Sequence, residues 1–165
     1  MEEITPEDLE AKVKTFSREY EFPIHNLFAA KDDYSLPEIE DIGLMRRPEI
    51  LIRCLFSDET ESRRVSLEYR LFKGKFKSFI AIITHNSFGD EGYPKTKQLI
   101  ERNLLKAGIR LKLCQGNTIV AHLDPSLKAV EMFLSTYFRA QKEADEYISE
   151  SIRISEYLNS KYSIY

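Results

Sequence analysis

The segment from Arg64 to Thr84, RVSLEYRLFKGKFKSFIAIIT, contains the pattern that decides the fold. Apolar and polar residues alternate from Val65 to Leu71, which is typical of a strand with one buried face and one wet face. The residues Lys73-Gly74-Lys75 predict a tight turn, because glycine adopts the positive φ that a short bulged loop requires. The segment therefore predicts a β-hairpin whose second strand returns through Phe79-Ile80-Ala81-Ile82-Ile83.

This second strand is apolar at every position from Phe79 to Ile83. A strand that is apolar on both faces is typical of the centre of a sheet, with layers packed above and below it. Burying five such side chains contributes roughly 2 kcal/mol each before conformational entropy is counted. We therefore expect the other elements to pack against this hairpin or to pair with it.

The first half of the chain predicts one helix and one further strand. Thr5 suits a helix cap, and the proline and acids that follow it favour the first turn, while Pro23 ends the helix. The next segment is irregular, and we expect a short helix near residues 24–30 and an extended piece around residues 39–44. Residues 49–57, EILIRCLFS, predict a strand that leads through a charged turn into the hairpin.

The second half predicts a helix, a hairpin and a long helix. Pro94 begins a helix that Gly108 stops as a C′ glycine. The pair Gly116-Asn117 predicts a two-residue turn between two strands, and Asp124-Pro125 predicts the cap of the last helix. Apolar residues then recur every three or four positions as far as Tyr162.

The last helix has two interpretations. Its long apolar stripe could pair with a helix of another chain, as in a coiled coil. Alternatively, the helix covers the sheet at its start and frays at its end. The polar residues Gln141, Ser151 and Ser155 interrupt the stripe and favour the second interpretation for its last third.

Together these elements predict a single α+β domain with the order α-β-β-β-α-β-β-α. Two antiparallel ribbons, separated by the helix that begins at Pro94, merge into one five-stranded antiparallel sheet with helices packed on it. The long C-terminal helix occupies residues 124–162. A chain of 165 residues is long enough for one domain with a substantial core.

Composition indicates a globular chain, with 42% hydrophobic and 31% charged residues. No apolar run approaches the ~18 residues that cross a bilayer, and Met1-Glu2-Glu3 is acidic where a signal peptide is basic. We therefore expect a cytoplasmic protein with no membrane contact. Cys54 and Cys114 lie in strand-like segments, so we expect buried thiols and no disulfide framework.

Charge is unevenly distributed and supports an alternative hypothesis. Residues 1–41 carry twelve acids and four bases, whereas residues 63–77 and residues 94–112 each carry six bases and one acid. Lysine and arginine side chains that alternate with aromatic residues can bind phosphates, and the aromatic rings can stack on nucleobases. The candidate nucleic-acid-binding residues in the hairpin are Arg63, Arg64, Arg70, Lys73, Lys75 and Lys77. Core packing of the aromatics and protection of a sheet edge by the bases explain the pattern at least as well.

A catalytic site is not defined by the sequence. His85 ends the central strand near Asp90 and Glu91, where an acid–base pair or metal ligands could lie. Turn chemistry explains the same residues, and His122 with Asp124 offers too few ligands for structural zinc. No nucleotide-binding or hydrolase motif occurs, so we predict no catalytic, cofactor-binding or metal-binding residues.

Three segments carry a resemblance to a known family. They are residues 47–53, residues 102–124, and Ala140 with residues 145–148. The chain resembles type III secretion chaperones and the related YbjN-like family in these segments and in the order of its elements. It departs from them at residues 110–113, which are basic where the family strand is acidic. The resemblance implies a non-catalytic homodimer that holds a protein client or regulatory partner along sheet edges and apolar grooves.

Overall fold

The computed structural model describes residues 3–33, 48–72, 76–86 and 94–162. In chain order the elements are α1 (Pro6–Glu19), β1 (Asn26–Asp33), β2 (Ile50–Ser57), β3 (Arg63–Phe72), β4 (Phe76–His85), α2 (Pro94–Lys106), β5 (Arg110–Gln115), β6 (Thr118–Leu123) and α3 (Leu127–Tyr162). Within these ranges, no helix combines the length and the apolar character needed to span a membrane.

The strands form one antiparallel sheet in the order β1-β2-β3-β4-β6-β5. The two ribbons that the sequence predicts merge where β4 pairs with β6, with Phe79 opposite Leu123 and Ile83 opposite Ile119. This confirms the mixed α and β architecture, the merged antiparallel sheet and the long C-terminal helix. The predicted hairpin forms as β3 and β4, whose register places Val65 opposite Ile83.

The predicted number of strands is wrong, because the sheet has six strands rather than five. The extra strand is β1, which lies where we expected a short helix near residues 24–30. Its sequence, NLFAAKDD, contains alanine, lysine and aspartate, which are depleted in strands. Eight consecutive pairings with β2 outweigh that local preference. The extended piece expected around residues 39–44 and the turn at residues 73–75 lie outside the described residues.

The core forms between one face of the sheet and the three helices. Strand side chains such as Phe56, Leu67 and Phe79 belong to the same buried cluster as Leu9 of α1 and Leu104 of α2. Helix α3 contributes Val130, Leu134 and three of the largest members, namely Phe133, Tyr137 and Phe138. All three helices therefore cover the same face, and we call the opposite one the open face.

The helix ends follow the sequence signals with one exception. Thr5 and Asp8 form a capping box at α1, and Gly108 adopts a φ of +81° after α2. The backbone N–H of Ile109 donates to Leu104, which completes the C-terminal cap. The predicted cap of α3 at Asp124-Pro125 is wrong, because Ser126 accepts a hydrogen bond from the N–H of Ala129.

Candidate functional site: the open face of the sheet

An apolar row crosses the whole open face at right angles to the strands. From edge to edge, the register places in one line Phe28, Leu55, Ser66, Ile82, Val120 and Leu113. Phe28 is 53% exposed, Leu55 39% and Leu113 46%. Phe28 and Leu55 are neighbours, Ile82 and Val120 are half-buried, and Ser66 interrupts the row. Neighbouring apolar side chains at a surface mark interaction sites, whereas single ones do not. The row is therefore the candidate site.

The open face explains why β4 is apolar on both sides. Phe79, Ala81 and Ile83 face the helices, whereas Ile80 and Ile82 face the other way and Ile80 is absent from the core cluster. The prediction of layers on both sides of β4 is met on the helical side only, since no described helix or strand covers Ile82. Ile80 is nevertheless only 7% exposed, and no helix among the described residues packs on this face.

Charged pairs flank the row and neutralise most of the local charge. Arg53 Nη2 lies 3.2 Å from Asp32 Oδ2, and Arg70 Nη2 lies 2.7 Å from Glu68 Oε2. Each pair is about one-third exposed at its arginine, so we expect each to contribute at most ~1 kcal/mol. Each arginine of the two pairs is thus balanced by a carboxylate on the same face.

Both outer strands present an edge to which no described strand pairs. Strand β1 offers eight residues without proline or a register shift, and Lys31, Asp32 and Asp33 give its end a charge. Strand β5 is shorter, and its register shifts between Leu111 and Leu113. Because bulges and charged residues protect edges, β1 is the better template for an added strand.

A buried polar cluster lies on the helical side, at the end of β3. Asp58 is 4% exposed, and Arg63 donates from Nε to Asp58 at 2.8 Å and from Nη1 to Asp145 of α3 at 2.6 Å. Gln141 donates to the other oxygen of Asp145 at 3.1 Å. Burial alone raises the pKa of Asp58, but the hydrogen bonds and charge of Arg63 outweigh it and lower that pKa overall. The cluster ties the turn between β2 and β3 to α3, which is a structural role.

The structure does not bring the described hairpin bases onto one surface. Arg63 lies in the polar cluster, and its guanidinium stacks 5.0 Å from the ring centre of Phe22. Arg64 and Arg70 point to the open face, where Arg70 pairs with Glu68. The alternation of side chains along β4 places Lys77 on the helical side. Lys73 and Lys75 lie outside the described residues. In the second basic segment, Lys97 donates to the carbonyl of Gly116 at 3.0 Å.

The histidines do not form a site among the described residues. His85 is 7% exposed, and its backbone N–H donates to Asn117 at 3.0 Å, whereas Asp90 and Glu91 lie outside the described ranges. His122 lies on the open face opposite Ile80. No group of three or more His, Cys, Asp or Glu side chains suited to a metal occurs in the part of the chain that the structure describes.

The two cysteines differ in their surroundings. Cys54 is buried, and burial raises the pKa of its thiol to about 12, so it stays protonated at neutral pH. The prediction that Cys114 is also buried is wrong, because it lies exposed on the edge strand β5. Partial desolvation of the sulfur and the nearby Glu101 raise the pKa of Cys114 as well. Neither thiol has the lowered pKa of a reactive cysteine.

The α2 and α3 helices leave a groove of about 480 Å³ between them. Leu99 and Arg102 line it from α2, and Ala144 and Tyr147 from α3. It lies where α3 leaves the body of the protein. No local sequence pattern predicts this groove, because it depends on how the two helices pack.

Comparisons with known proteins do not assign a role to these features. No family model matches the chain, and neither a curated protein nor a solved structure matches it. The function must therefore be argued from the open face and the surfaces around it.

Proposed function

We propose that this chain is a non-catalytic protein-binding module, chaperone-like or regulatory, that acts as a homodimer in the cytoplasm. The observation that supports the proposal is the apolar row on the open face, from Phe28 across to Leu113. The resemblance to type III secretion chaperones and YbjN-like proteins leads to the same class of function. The described residues of the open face hold no group arranged for chemistry.

The proposed partner is a polypeptide with an extended apolar segment. Such a segment can lie along the apolar row, or it can pair with the β1 edge and place one of its alternate side chains beside Phe28. Apart from the two charged pairs, the open face carries Arg64 and Arg110, both exposed. A segment with acidic residues at its ends therefore fits this face better than a basic one.

Binding is favourable because a partner buries the apolar side chains of the row. Removing apolar surface from water contributes roughly 25 cal/mol for each Å² that is buried. The sheet holds the backbones of β2, β4 and β6, so the row loses little backbone freedom on binding. A preformed apolar surface of this kind suits a partner that is itself flexible.

A pull-down with matched variants tests the proposal. Leu55→Asp places a charge in the row, and Leu105→Asp places the same charge at an exposed leucine of α2. Proteins from the native cytoplasm that bind the wild-type chain are identified by mass spectrometry and then measured on both variants. We expect a partner that Leu55→Asp loses at least tenfold and that Leu105→Asp retains.

Two results contradict the proposal. One is the absence of any protein whose capture distinguishes the two variants. The other is a Leu55→Asp chain that stays folded by circular dichroism and retains every partner of the wild type.

A further inference from the structure

The C-terminal part of α3 leaves the body of the protein as a bare helix. Every residue from Ser149 to Lys161 is exposed, and we call this stretch the α3 tail. Four serines and one asparagine lie within it, and these residues form helices less readily than alanine or leucine do. An exposed helix with such residues depends on packing for its stability, because propensity alone makes it marginal.

The tail also carries apolar side chains that are about half exposed. Ile152 is 54% exposed, Ile154 51%, Tyr157 60% and Leu158 42%. Tyr147, Ser151, Ile154 and Leu158 are separated by four, three and four residues and so share one stripe of the helix. Ile152 lies outside it, since two residues of an α-helix turn through about 200°.

We propose that the α3 tail pairs in antiparallel orientation with the α3 tail of a second copy. The stripe is self-complementary in this orientation. When Tyr147 lies opposite Leu158 of the partner, Ser151 lies opposite Ile154, and the same pairs recur on the other side of the two-fold axis. A small residue facing a large one is the arrangement that lets two helices approach closely.

Charge and area are consistent with this occupant. Residues 147–161 carry two acids and two bases, Glu150, Glu156, Arg153 and Lys161, so that two tails have no net repulsion. At roughly 200 Å² for a large side chain, the exposed parts of Tyr147, Ile154 and Leu158 amount to about 300 Å² per copy. The pair therefore buries about 600 Å² of these side chains, which is below the usual size of a stable interface and predicts a dimer that dissociates at micromolar concentrations.

The inference deepens the proposed function, because it assigns a surface to the dimer and leaves the open face to the partner. Sedimentation equilibrium of the full chain tests it, with Ile154→Asp as the variant and Ile152→Asp as the control. The two isoleucines have nearly equal exposure, lie two residues apart and differ in the face they occupy. At high micromolar concentration we expect wild type to approach twice its 19.3 kDa mass.

We expect Ile154→Asp to raise the dissociation constant about a hundredfold, because both copies lose a buried side chain, and Ile152→Asp to change it less than threefold. Equal effects of the two variants, or a dimer that survives Ile154→Asp, overturn the pairing of the α3 tails. They do not overturn the proposed function, because the dimer would then form through another surface. A wild-type chain that stays monomeric at high micromolar concentration removes the dimer from the proposed function as well.

Disulfide trapping tests the orientation of the tails. Chains with Ser151→Cys and chains with Ile154→Cys, each also carrying Cys114→Ser, are mixed and oxidised. The antiparallel arrangement predicts a mixed disulfide between the two kinds of chain in preference to either symmetric one. Predominance of symmetric Ser151→Cys dimers indicates parallel tails and overturns the inference.

Discussion

Arg63 holds the turn between β2 and β3 to α3, and its removal gives a sharp test of the packing. In Arg63→Met, the apolar stem is kept, but Asp58 is left buried without its cation. Breaking a buried pair by removing one partner costs about 3–5 kcal/mol. The arm to Asp145 contributes little, because the side chain of Asp145 is 48% exposed, whereas that of Asp58 is 6% exposed. Exposed pairs contribute about 0–1 kcal/mol.

Urea unfolding followed by circular dichroism measures these differences. With a slope near 2 kcal/mol per molar urea, a loss of about 3–5 kcal/mol lowers the midpoint by about 1.5–2.5 M. We expect Asp145→Asn to lower the unfolding free energy by about 1 kcal/mol at most. The double variant Arg63→Met/Asp58→Asn should recover part of the loss, because no buried charge remains unpaired.

Two results would refute this account of the cluster. The first is an Arg63→Met chain that loses less than about 1 kcal/mol, since a buried Asp58 without a cation must be costly. The second is a double variant that is less stable than Arg63→Met, which would show that Asp58 is not a burden once its partner is gone.

Three further predictions follow from the charges and turns. The pKa of Asp58 is lower in the folded chain than in the unfolded chain, so its stabilisation is present above the unfolded pKa and is lost as the pH falls through the folded pKa. Below about pH 4 the unfolding free energy of wild type should therefore fall more steeply than that of Asp58→Asn. Urea titrations in which the two chains lose stability in parallel would contradict this. Gly108→Ala should lower the unfolding free energy by about 1–2 kcal/mol through its φ of +81° alone, since an added Cβ meets nothing within 4 Å, and Gly108→Asn should cost less. Finally, we expect no retention on immobilised nucleic acid at low salt; retention that is lost when Lys73, Lys75 and Lys77 are all changed to Glu would instead support the nucleic-acid hypothesis.

The sequence predicted the parts of the fold whose signals are local. The alternation from Val65 to Leu71, the glycine stop at Gly108 and the two-residue turn at Gly116 each depend on neighbouring residues, and the structure confirms all three. Strand β1 was missed because its pairing with β2 is made across residues far apart in the chain. Its local composition favours other conformations, so no window of sequence contains the information.

The candidate site was partly within reach of the sequence. The apolar run of β4 predicted that both of its faces are buried. In the structure, one of these faces belongs to the open face of the sheet. The row itself could not be predicted, because the alignment of Leu55, Ile82 and Val120 depends on the register of non-adjacent segments. The role of Arg63 was also hidden, since its two carboxylate partners lie 5 and 82 residues away in sequence.

The most direct test of the central claim is photo-cross-linking from the open face in native cells. A photoreactive amino acid is placed at Leu55, and at Leu105 as the matched exposed control. We predict that position 55 forms cross-links to a different polypeptide and that position 105 forms few or none. Cross-links from position 55 that stay within the chain, or equal capture from both positions, would contradict the assignment of the open face as a partner-binding surface.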